Sequence, residues 1–129
     1  MKFYDDPLYI EMCRGAGEIQ AKWNPCIGDW ALTVGCEIFG CGPSCLESGM
    51  LRMGKVFIPR LDQLIDMLDE SVSKEYKTPY YKIWEFYEYA MVKTEPRGDW
   101  TTEQVMIQFV MYKKYRKEWD FDEKQWVKI

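Results

Sequence analysis

Apolar positions in the first part of the chain recur at helical spacing. In "DDPLYIEMCRGAGEIQAKW", Leu8, Met12, Ile19 and Trp23 follow the three-four spacing of one stripe, at steps of four, seven and four residues. Asp6 is placed to cap this helix, and Pro7 suits its first position, where a missing N–H costs nothing. Gly15 and Gly17 each cost about 1 kcal/mol relative to alanine inside a helix. They mark either a close approach of another backbone or a weak spot. "NPCIGD" then ends the segment.

The period changes after Asp29. "DWALTV" places Trp30, Leu32 and Val34 on one face and Ala31 and Thr33 on the other, which is strand alternation. "EIF", "GMLRM" and "KVFI" are short apolar runs separated by the turn-forming "GCGPS" and "MGK". This pattern predicts two or three short antiparallel strands, too few for a closed barrel, so helices must cover one face.

Helical spacing returns downstream. "PRLDQLIDMLDE" gathers Leu61, Leu64, Ile65 and Leu68 opposite Asp62, Asp66 and Asp69. "TPYYKIWEFYEYAMV" fits a helix through Ile83, Trp84, Tyr87, Ala90 and Met91, and also fits a strand. Thr78 as cap and Pro79 after it favour helix over residues 79–92. In "WTTEQVMIQFVMYKKYRKEW", Thr101 and Gln104 spell a capping box, with Trp100 and Val105 as its hydrophobic staple. Val105, Phe109, Tyr112 and Trp119 form the buried stripe, widened by Met106 and Val110. "DFDEKQWVKI" reads as a tight turn returning Trp126 and Val127 to the body. The expected fold is α+β: about four helices packed on a small antiparallel sheet within residues 29–58, in a single globular domain over 1–129.

Composition supports a packed core. Of 129 residues, 47% are hydrophobic and 16% aromatic, which excludes intrinsic disorder. Seventeen basic residues against 21 acidic ones leave a net charge of −4, opposed to direct nucleic-acid binding through a basic surface. The run from Lys113 to Lys117 instead suits the C-terminal end of a helix. No apolar run approaches the ~20 residues of a membrane helix. The N-terminus lacks the apolar stretch and cleavage site of a secretory leader. The expectation is a cytoplasmic protein in a reducing compartment, without a membrane partner.

Candidate chemistry is sparse. The chain has no histidine. That excludes Ser-His-Asp and Cys-His hydrolases, histidine-ligated zinc enzymes and histidine acid–base catalysis. "GAG" and "GCGPS" match neither the P-loop nor the dinucleotide fingerprint. The Asp62, Asp66 and Asp69 face is best read as solvated. Cys26, Cys36, Cys41 and Cys45 could supply four thiolates to a tetrahedral zinc. The three-residue gap between Cys41 and Cys45 has ligand spacing; the four-residue gap before Cys41 and the ten-residue step from Cys26 fit less well, and no CxxC knuckle is present. Free thiols at strand ends and turns are the favoured reading, with no metal and no cofactor.

Three segments carry a resemblance. "YIEMC…A.EIQAKW.P..GDW", "IPRLDQLIDML" and "EQVMIQFVMYKKYRKEWD…WV" resemble a family of small uncharacterised proteins from bacteriophages and prophages of Gram-positive bacteria. Matching positions are Tyr9, Ile10, Met12 and Cys13; Trp23, Pro25, Gly28 and Asp29; Pro59, Arg60, Asp62, Gln63 and Leu64. In the last segment they are Phe109, Val110, Met111, Lys114, Tyr115, Lys117, Trp119 and Asp120. The chain departs from the pattern between Asp29 and Phe57, where the cysteine cluster lies, and at Gly15 and Gly17. The resemblance implies a phage or prophage context in a bacterial host cell and brings no assigned activity.

Three function classes remain. The favoured one is a non-catalytic accessory module that binds a host component, as a regulator or an antagonist of host defence. The second is a small-ligand protein, such as a nucleotide-sequestering one, using aromatic stacking beside a cation. The third, an enzyme relying on carboxylates or a cysteine, is disfavoured by the missing histidine. Candidate binding residues are Arg60, Asp62 and Gln63, in a polar pocket lined by Trp84 or Trp119; their structural alternative is internal pairing, with Arg60 on Asp62 or Asp120 and Gln63 on a strand edge. The host partner or ligand, and any self-association, stay open.

Overall fold

A computed structural model describes residues 2–33, 37–40, 55–68, 79–92 and 100–129, with backbone alone for Phe39, residues 79–84 and Val92. The fold is a small α+β one, as the alternation of periods predicts. Its contacts gather into two compact units, Met1–Arg60 and Leu61–Ile129.

In the N-terminal unit a short 3-10 turn (Phe3–Asp5) leads into α1 (Pro7–Gly15) and α2 (Gly17–Ala21). Asp6 caps α1 by accepting from the Leu8 N–H, and Pro7 stands at its start. The predicted single helix is divided at Ala16, whose ψ of 70° leaves the helical region. No heavy atom beyond its own helix backbone and chain neighbours lies within 4 Å of where a Gly17 Cβ would sit, so Gly17 marks a weak spot and not a close approach. The buried stripe is Tyr9, Met12, Cys13, Ala16, Ile19 and Trp23, with Leu8 only half-buried.

Three strands, β1 (Trp30–Leu32), β2 (Ile38–Gly40) and β3 (Val56–Ile58), form an antiparallel sheet in the order β2-β1-β3. Helix α1 packs on β3. Phe57 stacks on Trp23 at 5.1 Å and Trp30 on Tyr4 at 4.0 Å between ring centroids. β3 is an edge strand, yet its middle residue is paired. The Gln20 side chain accepts from the Phe57 N–H at 2.7 Å and donates to the Phe57 C=O at 2.9 Å. Its amide thus acts as one residue of a fourth strand and covers an edge that would otherwise expose backbone groups. The same nitrogen donates to the Cys13 C=O at the end of α1, which also accepts from the Ala16 N–H.

The C-terminal unit contains α3 (Leu61–Met67), α4 (Pro79–Val92), α5 (Thr102–Tyr115) and a hairpin of β4 (Lys117–Asp120) with β5 (Gln125–Lys128). Residues 79–92 are helical, the alternative that Thr78 and Pro79 favour. Helix α5 has the predicted capping box, with the Thr101 hydroxyl accepting from the Gln104 N–H and the Gln104 side chain accepting from the Thr101 N–H. Its residues 106–111 are buried on all sides, because α3, α4 and β4 all pack against it.

The end of α5 departs from expectation. The stripe from Tyr112 to Trp119 keeps a helical spacing of seven, but the helix stops at Tyr115. Arg116 adopts the left-handed conformation (φ 54°) and its N–H bonds back to the Met111 C=O. The chain then turns into the hairpin, where Trp119 faces Trp126 across the strands with the two rings T-shaped at 5.1 Å. Asp120 starts the turn by accepting from the Asp122 and Glu123 N–H groups.

Candidate functional site

The polar candidates from the sequence divide between two settings. Arg60 closes the N-terminal unit, where it donates to the Gly28 C=O at 2.7 Å and lies 3.8 Å from Asp29 Oδ1. Asp29, nearly fully buried, also accepts from the Trp23 indole at 3.0 Å and the Cys26 N–H at 2.8 Å. Residues 26–29 form a tight turn closed by the Asp29 N–H on the Cys26 C=O. Gly28 sits at its third position with φ 92°, as a type II turn requires. The "W.P..GDW" and "PR" pieces of the sequence pattern therefore meet in space as a loop-locking knot around one buried carboxylate. Such a knot fixes the chain.

Asp62 is exposed and Gln63 half-buried on α3, and neither belongs to the wall of the cavity in this unit. Trp84 lies on α4 with its side chain outside the described residues. Cys36, Cys41 and Cys45 also lie outside them; Cys26 is exposed and Cys13 buried, both as free thiols. Burial pushes the Cys13 thiol well up, partly offset by a hydrogen bond with Tyr9, so this sulfur stays protonated. Among the described residues no group of three or more Cys, Asp or Glu is arranged to hold a metal ion.

Trp119 is different. It lines a cavity of about 290 Å³ inside the C-terminal unit. Helix α4 contributes Tyr89, and α5 contributes Gln108 and Tyr112, one turn apart. Trp100, just before the α5 cap, faces the hairpin turn and meets Phe121 edge-to-face at 5.5 Å. The remaining wall is one continuous stretch, Glu118 to Asp122. The strand ends at Asp120 and the turn redirects the chain, which lets both the acids and the aromatics of "EWDFD" reach one space.

The walls are held from behind. Tyr89 packs against Tyr112 and Phe109, each at 5.2 Å, and Phe109 against Phe86 at 5.7 Å. Lys113 reaches Glu85 at 2.8 Å and ties α5 to α4. Gln108 is buried, its amide donating to the Gln104 C=O. Burial pushes the Tyr89 phenol well up, and the nearby Glu118 and Tyr112 add to this, so its hydroxyl remains neutral through the physiological range. The Trp119 indole N–H is buried with no hydrogen-bond partner, an arrangement that native interiors rarely tolerate.

Chemically the cavity offers π-faces and negative charge. Among the described residues, five aromatic side chains and the three carboxylates of Glu118, Asp120 and Asp122 line it, with no lysine or arginine. Of the binding candidates with described side chains, Trp119 belongs to it and Arg60, Asp62 and Gln63 do not. The acid–aromatic alternation of "EWDFD" is the signal in the sequence for the rest of that wall. Tyr89, Trp100, Gln108 and Tyr112 join it only through packing. No protein-family model matches the chain, and comparison with curated proteins and with solved structures found no match.

Proposed function

We propose that this protein is a non-catalytic binding module whose binding site is the aromatic cavity of the C-terminal unit. From the sequence resemblance we propose further that it serves a phage or prophage as an accessory protein acting in the bacterial cytoplasm on a host component. One observation carries the binding role. Tyr89, Trp100, Tyr112, Trp119 and Phe121 gather with a buried amide around about 290 Å³ of concave space. Ligand sites are concave and carry a few fixed polar groups, here the three carboxylates and the Gln108 amide. The absence of histidine from the chain weighs against acid–base catalysis near neutral pH.

Of the two binding readings, the nucleotide-sequestering one loses support. Its phosphates would meet three carboxylates and, among the described residues, no cation in the lining. Arg60, the arginine among the binding candidates, is engaged with Gly28 and Asp29.

Incubating the native chain with a deproteinised extract of a Gram-positive bacterium, repurifying it and identifying retained small molecules by mass spectrometry tests the binding role. A molecule retained by the wild type and lost from a folded Tyr112→Leu variant is the expected result. Equal retention by both, or none by either, would overturn the assignment of this cavity.

A further inference from the structure

We infer that the group received by this cavity is a small organic cation, an alkylammonium or guanidinium head group. The inference rests on the binding role proposed for this cavity and specifies its ligand class.

Charge is the first support. Among the described residues, Glu118, Asp120 and Asp122 place three carboxylates in the lining, and no lysine or arginine joins them. Asp120 is fixed in place by two backbone donors, at 3.0 and 3.1 Å, so its negative group is positioned before any ligand arrives. The nearby Lys113 is engaged with Glu85 at 2.8 Å, which reduces its capacity to neutralise the site. A potential of this sign concentrates cations and repels phosphates.

The rings are the second, independent support. The face of an aromatic ring is the negative end of its quadrupole and attracts a cation held above it, most strongly for tryptophan. Tyr89 stays neutral because burial raises its phenol, so it adds a polarised ring and no competing anion. Carboxylates alone would suit a hydrated metal ion, and rings alone would suit any apolar group. Only a positive charge wrapped in carbon satisfies both together. Alkylammonium and guanidinium groups have that character; a hydrated metal ion lacks the apolar skin.

Size agrees. At about 290 Å³ the space lies at the lower end of small-molecule sites. A choline-sized head group fits within it.

The test is an NMR titration of the full chain with choline, tetramethylammonium and methylguanidinium, beside 3,3-dimethylbutan-1-ol, the uncharged carbon isostere of choline. The Trp119 indole N–H resonance, assigned with Trp119→Phe, is the reporter. The expected result is that at least one cation shifts it and that choline binds at least tenfold more tightly than its isostere. Glu118→Gln should weaken the cation severalfold and leave the isostere unchanged. Equal binding of choline and the isostere would overturn the cation class while leaving the cavity a binding site. Silence from all three cations would also overturn it. The extract experiment then separates the two failures: a neutral or anionic ligand lost from Tyr112→Leu preserves the binding role, and no such ligand removes both.

Discussion

Two tryptophans show how differently the two units treat their polar groups. The Trp23 indole in the N-terminal unit donates to Asp29 at 3.0 Å, inside a network that also engages the Cys26 N–H. The Trp119 indole N–H in the C-terminal unit is also removed from solvent and has no partner. The contrast extends outward. Asp29, Arg60, Gln20 and the Tyr9 hydroxyl, which donates to the Pro59 C=O at 2.7 Å, all bond backbone or side chains within their own unit. Glu118, Asp120 and Asp122 instead line a cavity with aromatic side chains, Asp120 while also accepting from the Asp122 and Glu123 N–H groups. A buried polar group with a full set of partners holds a fold together, whereas polar groups gathered at a cavity are available to something else. Substitutions should therefore lose stability in the first unit and binding in the second.

The largest stability loss is expected at Asp29. Asp29→Ala removes the acceptor for one indole and one backbone N–H and takes the nearby carboxylate from the Arg60 guanidinium. Hydrogen bonds to a buried charge are worth about 1.5–3 kcal/mol each, discounted here because Arg60 is a third exposed, so the expected loss is about 3 kcal/mol. A urea midpoint unchanged from wild type would show that the knot is decorative.

Gln20→Leu comes next. It keeps the side-chain bulk but leaves the Phe57 N–H and C=O without their partners, at a cost of about 2 kcal/mol. Gln20→Glu preserves the acceptor and loses the donor, so it should retain part of the stability. If Leu and Glu behave alike, the amide is not acting as a strand.

Alkaline pH sharpens the comparison within the buried stripe. Cys13 has a folded pKa raised above its ordinary value of 9.0 by burial. The unfolded chain therefore releases this proton first, and the thiol's contribution is complete below about pH 9 and lost as pH climbs through the folded value. The expected slope is about 1.4 kcal/mol per pH unit for this one group. Cys13→Ala should flatten stability between about pH 9 and 10, before tyrosines ionise. An unaltered slope would mean that the thiol does not govern this range.

Much of this is legible in the sequence, and unevenly so. The α1 start and the α5 capping box are readable because each is a local contact between residues two or three apart. The three strands within 30–58 follow from alternation. The break at Ala16 is signalled by Gly15 and Gly17, though their meaning needs coordinates. The end of α5 misleads because Trp119 satisfies a helical spacing and a strand pairing equally; a single left-handed residue, Arg116, decides between them. Gln20 is hidden as the edge partner because nothing in its neighbourhood distinguishes it from an exposed helix residue; its bonds to Phe57 span 37 positions. The cavity is the least legible feature, since it joins residues from 89 to 122 through packing alone.

The smallest stability effect, and the one that separates the units most directly, is expected at Trp119→Phe. The substitution removes a buried donor that has no acceptor, worth about 1–3 kcal/mol of relief. It also loses one ring of apolar contact against Trp126, a cost of similar size. These nearly cancel, leaving the thermal midpoint close to wild type. Binding should behave otherwise, because phenylalanine presents a weaker face to a cation than tryptophan does. A folded variant that binds choline severalfold more weakly at unchanged stability would mark Trp119 as a residue kept for its ligand. A drop in stability comparable to that of Asp29→Ala, with binding intact, would place Trp119 among the residues that merely hold the fold and erase the distinction between the two tryptophans.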